Sequence, residues 1–226
     1  MSSPTMMPMS LTEIAQAVDG RLMPTTMPTD EPVAISAFTD SRQIVPGSVF
    51  VAIAGERVDG HDFVPKVGAQ GAVAALVDHE IAGAQVPQIV VENTVKALGA
   101  LAKHNIERRR ALESPFTVIG ITGSVGKTTA KEMVASVLSQ RWNTLKTEKN
   151  FNNQLGVPLT LFRLEPEHEA AVVEMGVSHF GDMAPLAAMV QPTAMLFTII
   201  GHAHLEFLRD RRGILQEKTS VLDTMP

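Results

Sequence analysis

Apolar and polar residues follow two rhythms along this chain. After a ragged start, SLTEIAQAVDG places Leu11, Ile14, Ala15 and Val18 on one helical face, with Ser10 as N-cap and Gly20 as terminator. The proline- and threonine-rich RLMPTTMPTDEP reads as a loop. VAISAF, SVFVAIAG, the helix-like HDFVPKVGAQG, AVAALVD and PQIVVEN then form a small alternating α/β unit, closed by a long helix from about Thr94 to Arg110. ESP, Glu113 to Pro115, reads as a linker, because the residue before a proline is pushed away from helix.

From Phe116 the rhythm becomes strand, loop, helix, repeated. FTVIGIT precedes a helix over Lys127 to Gln140; NTLKT precedes one over Gln154 to Leu164; AAVVEM precedes Met183 to Val190; AMLFTII precedes a last helix from about Gly213. Such alternation predicts a parallel sheet covered by helices on both faces. The fold class is therefore α/β, with a small domain over 1–112 followed by a P-loop-type sheet over 113–226. About four strands are expected, and the sheet reads as truncated. Internal repeats and low-complexity tracts are absent.

Composition narrows the function. A net charge of −5 over 226 residues gives no basic field for a phosphate backbone, which disfavours nucleic acid as a partner. The local IERRR, Ile106 to Arg110, reads as the solvated end of a helix, where positive charge suits the dipole. The absence of cysteine excludes disulfides and thiolate metal sites, so any metal must take oxygen or histidine ligands. MSSPTMMPMS lacks a basic region followed by an apolar core, and no apolar run is long enough for a membrane span. The expected compartment is the cytoplasm and the expected state a monomer.

The chemistry concentrates in GITGSVGKTTAKEM, Gly120 to Met133. A glycine-rich turn between a buried strand and a helix aims backbone N–H groups at a polyphosphate, and the helix N-terminus adds positive partial charge. Thr122, Gly123, Ser124, Val125, Gly126, Lys127, Thr128 and Thr129 are the candidate ATP-binding residues. Lys127 would reach the terminal phosphates, and the Thr128 hydroxyl would ligate Mg²⁺. The strict phosphate-loop pattern fails at Ile121; the glycines are Gly120, Gly123 and Gly126. VVEMGVSH puts Glu174 at the carboxyl end of a buried strand, the edge at which open α/β sheets bind ligands. There a carboxylate can hold the Mg²⁺ that bridges nucleotide phosphates. GHAHLE places His202 and His204 after another apolar strand, where they read equally well as capping residues or as a metal or phosphate site. Asn150, Asn152 and Asn153 of EKNFNNQLGVP read as a turn or as a polar site.

Together GITGSVGKTTAKEM, NFNNQLGVPLTLFRL, VVEMGVSHFGDM, AHLEFL and the N-terminal TDSRQIVPGSVFVAIAGERVDGHDF resemble the Mur ligase family, from about residue 10 to the end. The resemblance is strongest to members that join D-alanyl-D-alanine to UDP-N-acetylmuramoyl-tripeptide in peptidoglycan precursor synthesis. It implies a first domain that binds the uridine diphosphate end of the precursor, through Ser41, Arg42, Gly60 and His61. It implies a middle domain that binds ATP, with Lys127 on the phosphates and Thr128 and Glu174 on its Mg²⁺. His204 and a carbamylated Lys218 would hold a second Mg²⁺, and Asn150 or Asn153 would sit near the γ-phosphate or acyl group. Spacing alone reads Lys218 as a surface lysine; only the resemblance assigns it a metal. The implied reaction forms an amide through an acyl phosphate, with Lys127, Glu174, His204 and Lys218 as catalytic residues.

Ile200 and LRDRRG stand where the family usually shows an asparagine and a glycine-serine pair, and Lys149 stands where it often has glycine. Family members are about twice as long, so the chain is read as an amino-terminal part without the third domain, able to bind precursor but not to complete ligation. Three other readings compete: a relative that adds a diamino acid or glutamate, a non-catalytic precursor-binding module, and a generic P-loop ATPase.

Overall fold

The computed structural model describes residues 6–23, 31–201 and 205–225. Contacts divide the chain into two compact units, Met1–His104 and Asn105–Pro226.

The first unit begins with β1 (Met9–Ser10) and α1 (Leu11–Ala17). The Ser10 hydroxyl accepts a hydrogen bond from the Glu13 N–H, so the expected N-cap is in place and worth about 1 kcal/mol. β2 (Arg21–Met23), β3 (Val33–Ala34), β4 (Ser36–Phe38), β5 (Ser48–Val51), α2 (Val64–Val67), β6 (Ala72–Val77) and β7 (Gln88–Val90) follow, then α3 (Thr94–Arg110), whose residues up to His104 belong to this unit and the rest to the second. The five-stranded sheet runs β2-β7-β6-β5-β4, parallel except for β2 against β7; β1 and β3 pair separately, antiparallel. Residues 21–23, expected as loop, are thus an antiparallel edge strand, with Arg21 opposite Val90. Three residues are too few for an alternation to register. Phe50, Val64, Val67, Ala75 and Val77 form the core beneath α2, and Leu11, Ile14, Leu98 and Leu101 bury the apolar faces of α1 and α3. The Asn93 side chain caps α3 by accepting from the Lys96 N–H.

The second unit contains β8 (Thr117–Thr122), α4 (Lys127–Leu138), β9 (Thr144–Lys146), α5 (Gly156–Leu161), β10 (Ala170–Glu174), α6 (Met183–Val190), β11 (Ala194–Phe197), α7 (Leu205–Leu208) and α8 (Arg211–Thr219). Its four strands are all parallel, in the order β11-β8-β10-β9. The α/β alternation read from the sequence is borne out, and α7 is an addition to it. All five residues of β10 are buried, so both faces of the sheet are covered at its centre, and its apolar run needs no polar alternation. Val172 and Ile121 pack under Ala130, Val134, Ala135 and Leu138 of α4.

The solvated reading of IERRR is overturned. Arg109 is fully buried, and its guanidinium donates to the carbonyls of His168 at 2.8 Å, Ser114 at 3.3 Å and Pro115 at 3.1 Å, with the Phe116 ring 4.8 Å away. Arg110 donates to the side chain and carbonyl of Gln191, and Asn105 donates to the Leu161 carbonyl at 2.9 Å. A guanidinium can be buried when carbonyls on several sides accept from each of its nitrogens, as three do here, which a charge run cannot reveal.

Replacing Arg109 by Ala strands three carbonyl acceptors and opens a cavity. The expected loss is about 2–4 kcal/mol in urea unfolding. Arg141→Ala, at an exposed position, is expected to stay within about 0.5 kcal/mol.

Candidate functional site

Three parallel strands end together at one edge of the second unit. Register pairs Glu174 of β10 with Ile121 of β8, and Phe197 of β11 with Thr122. The chain leaving β8 turns through Gly123 (φ +150°) and Gly126 (φ +86°), both in backbone that disfavours a side chain. At Gly123 space is also lacking, since a Cβ would lie 1.9 Å from the Thr198 hydroxyl oxygen. That hydroxyl donates to the Val125 carbonyl at 2.7 Å, and the Ser124 N–H donates to the Ile199 carbonyl at 2.7 Å, so the segment after β11 braces the turn. The Ser124 hydroxyl accepts from the Gly201 N–H at 3.0 Å, and Val125 is exposed.

Gly126 is the N-cap of α4 and offers no side chain to the helix, so the first N–H groups of Lys127, Thr128 and Thr129 keep no capping oxygen from it. Thr128 and Thr129 are exposed. The Lys127 ammonium folds back to the Gly123 carbonyl at 2.9 Å. Beneath the turn, Thr122 is fully buried, and its hydroxyl oxygen has no hydrogen-bond partner among the described residues. A buried polar atom, open N–H groups and a lysine at one helix start fit a polyphosphate.

Glu174 is 2% exposed. Its carboxylate accepts from the Thr128 hydroxyl at 3.0 Å and from the Asn152 amide at 2.9 Å, while its own N–H donates to the Thr147 hydroxyl at 3.0 Å. The Lys131 ammonium, also buried, donates to the Thr147 carbonyl at 2.7 Å and lies 3.0 Å from Glu132. Thr128 and Glu174, the expected Mg²⁺ ligands, are therefore in direct contact, two hard oxygen donors of the kind that cation takes.

The asparagines separate in role. Asn152 reaches Glu174, whereas the Asn153 side-chain oxygen Oδ1 accepts from the Leu155 and Gly156 N–H groups just ahead of α5, and Asn150 is exposed. Asn153 also lines a cleft of about 280 Å³ with Gln154, Ser178, His179 and Asp182. Which of three neighbouring asparagines faces inward depends on an irregular turn without a period to read. Lys149, in that turn, lies at φ +49°, the backbone that favours glycine.

Lys218, on α8, is 1% exposed, which corrects its reading from spacing as a surface lysine. Burial, with the charge of Lys127 in addition, pushes its ammonium down from 10.5 to about 8, and neighbouring Glu217 opposes the shift. Glu217 is itself engaged, accepting from the Gly181 and Met183 N–H groups at the start of α6. His202 and His204 lie outside the described residues.

In the first unit, Ser41, Arg42 and Gly60 line one cavity of about 480 Å³, with Thr39, Asp40, Ile53, Val58 and Phe63. Arg42 forms a two-point pair with Asp40, at 2.9 and 2.7 Å, and those hydrogen bonds hold the Asp40 carboxyl down at about 2. His61 is buried and does not line this cavity; its ring bonds Asp59 at 2.6 Å.

Known proteins match this arrangement over nearly the whole chain. The Mur ligase middle domain matches residues 121–226, and the Mur ligase family catalytic domain matches residues 37–106. UDP-N-acetylmuramoyl-tripeptide–D-alanyl-D-alanine ligase of Escherichia coli (strain K12) is 37% identical over 221 residues, which are 98% of this chain and 46% of that protein. The enzyme of the same name from Synechocystis is 38% identical, over 96% of this chain and 47% of its own length. A crystal structure of MurF from Acinetobacter baumannii superposes with a TM-score of 0.87 at 38% identity, covering 98% of this chain and 47% of that one. MurF ligase from Thermotoga maritima in complex with ADP gives 0.76 at 32% identity, covering 84% and 43%. The chain spans about half the length of the relatives it matches. With the phosphate-loop site and both domain matches in sequence order, the chain belongs to the Mur ligase family.

Proposed function

We propose that this chain is the precursor- and ATP-binding part of a ligase that joins D-alanyl-D-alanine to UDP-N-acetylmuramoyl-tripeptide. The observation that carries the reading is the contact between Thr128 and the buried Glu174 directly under an uncapped helix start bearing Lys127. ATP would lay its phosphates on the α4 N-terminus, with Lys127 neutralising charge on the transferring phosphoryl group. Mg²⁺, when bound, would supply charge neutralisation between Thr128 and Glu174. Asn152 and Thr128 keep the Glu174 carboxylate aimed at that position, and Lys131 and Thr147 fix the end of β10 from behind. The terminal carboxylate of the tripeptide would accept the phosphoryl group, and the dipeptide amine would then displace phosphate to form the amide. In the first unit, the cavity holding Ser41, Arg42 and Gly60 would take the uridine diphosphate end of the precursor.

Lys218 fits the modification that the resemblance implies. An amine with a pKa near 8 is partly neutral at physiological pH, and only the neutral form adds to CO₂. Its nitrogen would bond the carbon of CO₂ and release a proton, turning a buried cation beside Lys127 into an anion. Carbamylation thus replaces a repulsion by an attraction and creates an oxygen ligand for a second Mg²⁺, with His204 as the expected partner.

Calorimetry of the chain should show one site for MgATP, weakened at least tenfold by Lys127→Ala, and separate binding of the UDP-linked tripeptide that this change leaves intact. ATP affinity indifferent to Lys127→Ala would sink the reading. Equilibration with ¹³C-labelled CO₂ should give a carbamate resonance that Lys218→Met removes; a spectrum without it would leave Lys218 a buried amine.

A folded-state pKa below the unfolded value of 10.5 means that the unfolded chain binds more protons between about pH 8 and 10.5. In CO₂-free buffer, Lys218 should therefore add stability as pH rises through that window, by up to about 3 kcal/mol. Urea unfolding of Lys218→Met beside the parent chain should show this increment missing.

A further inference from the structure

Among the described residues, one group of ligating side chains in the first unit is used neither by the phosphate loop nor by the proposed uridine cavity. His61 is the second residue of the short turn Gly60–Phe63, and Asp78 and His79 follow the last residue of β6. The His61 ring is 4% exposed, whereas Asp78 and His79 are exposed. Asp59, which also caps the turn, lies 2.6 Å from His61 Nδ1. That contact places the ring proton on Nδ1 and leaves Nε2 as an acceptor, which takes a long hydrogen bond from the Asp78 N–H at 3.4 Å and lies 3.2 Å from Asp78 Oδ1; a cation at Nε2 would displace that weak bond. His79 Nδ1 lies 2.5 Å from the same oxygen, and the two imidazoles stack with centroids 4.8 Å apart.

We propose that His61 Nε2, Asp78 Oδ1 and His79 Nδ1 form a site for a borderline divalent cation, Zn²⁺ being the best fit. One ligand atom from each residue lies within 4.8 Å of the others. Tetrahedral Zn²⁺ with nitrogen and oxygen ligands at about 2.1 Å needs them roughly 3.4 Å apart, a closure that exposed Asp78 and His79 allow by side-chain rotation. Two imidazoles with one carboxylate suit Zn²⁺ and its neighbours, not Mg²⁺, which prefers an all-oxygen shell. A carboxylate on the far nitrogen of the buried histidine is the outer support that metal-binding histidines use. The ion would tie the turn at 60–63 to the end of β6. Gly60 of that turn lines the uridine cavity, so the cation would brace one wall of it. This site is independent of the proposed ligase reaction.

The test is calorimetric titration of the chelator-stripped chain with Zn²⁺ alone, without nucleotide or Mg²⁺, with Co²⁺ substitution as a spectroscopic check. One equivalent should bind, with Co²⁺ giving the intense visible bands of tetrahedral coordination. His79→Ala and Asp78→Asn, both at exposed positions and checked for folding by circular dichroism, should each weaken Zn²⁺ binding at least tenfold. Absence of stoichiometric Zn²⁺ binding, or a loss below tenfold in both variants, would overturn the site.

Discussion

Glu174 keeps a carboxylate almost wholly out of water at the end of the central strand β10, where desolvation costs several kcal/mol unless donors replace the lost hydration. Thr128 and Asn152 supply two such donors, and they come from different parts of the chain: the first turn of α4 and the loop after β9. The positions of both segments are thereby tied to one side chain. The β8–β10 register sets the height of Glu174 beside the phosphate turn, and Thr198, packed against Gly123, sets the height of the turn itself. A small misplacement of β10 would uncouple the carboxylate from the helix start.

Charge is distributed with the same economy of contacts. Lys131 is buried on the flank of α4 and spends its hydrogens on the Thr147 carbonyl and Glu132, holding the end of β9 against the helix. Glu217 is committed to the start of α6, so it offsets only part of the penalty on Lys218. Of the buried lysines, one is thus structural, and the other retains the chemical freedom that a shifted amine gives.

Much of this was readable before the structure. Buried parallel strands such as AAVVEM declare themselves by continuous apolar runs, and α1 by its spacing and its Ser10 cap. The phosphate turn shows through glycines at positions where the backbone takes positive φ. What stayed hidden depends on tertiary neighbours. Arg109 is chemically identical to a solvated arginine until three carbonyls surround it. Asn152 cannot be told from Asn150 or Asn153 without the path of an irregular turn, and His61 shares its turn with Gly60 yet does not line the cavity that Gly60 lines. The burial of Lys218 follows from packing of α8, not from its spacing.

Helix α3 has a further meaning for how such a chain could be assembled from parts. Its leading turns bury Leu98 and Leu101 with the first unit, while Asn105, Arg109 and Arg110 supply hydrogen bonds to the second. A gene cut at the exposed turn after the helix would transplant the phosphate-binding sheet without the guanidinium that satisfies the Ser114, Pro115 and His168 carbonyls. Recombination that preserves the second unit must therefore carry the last turns of α3 with it, making a helix interior, not a loop, the heritable border of the module.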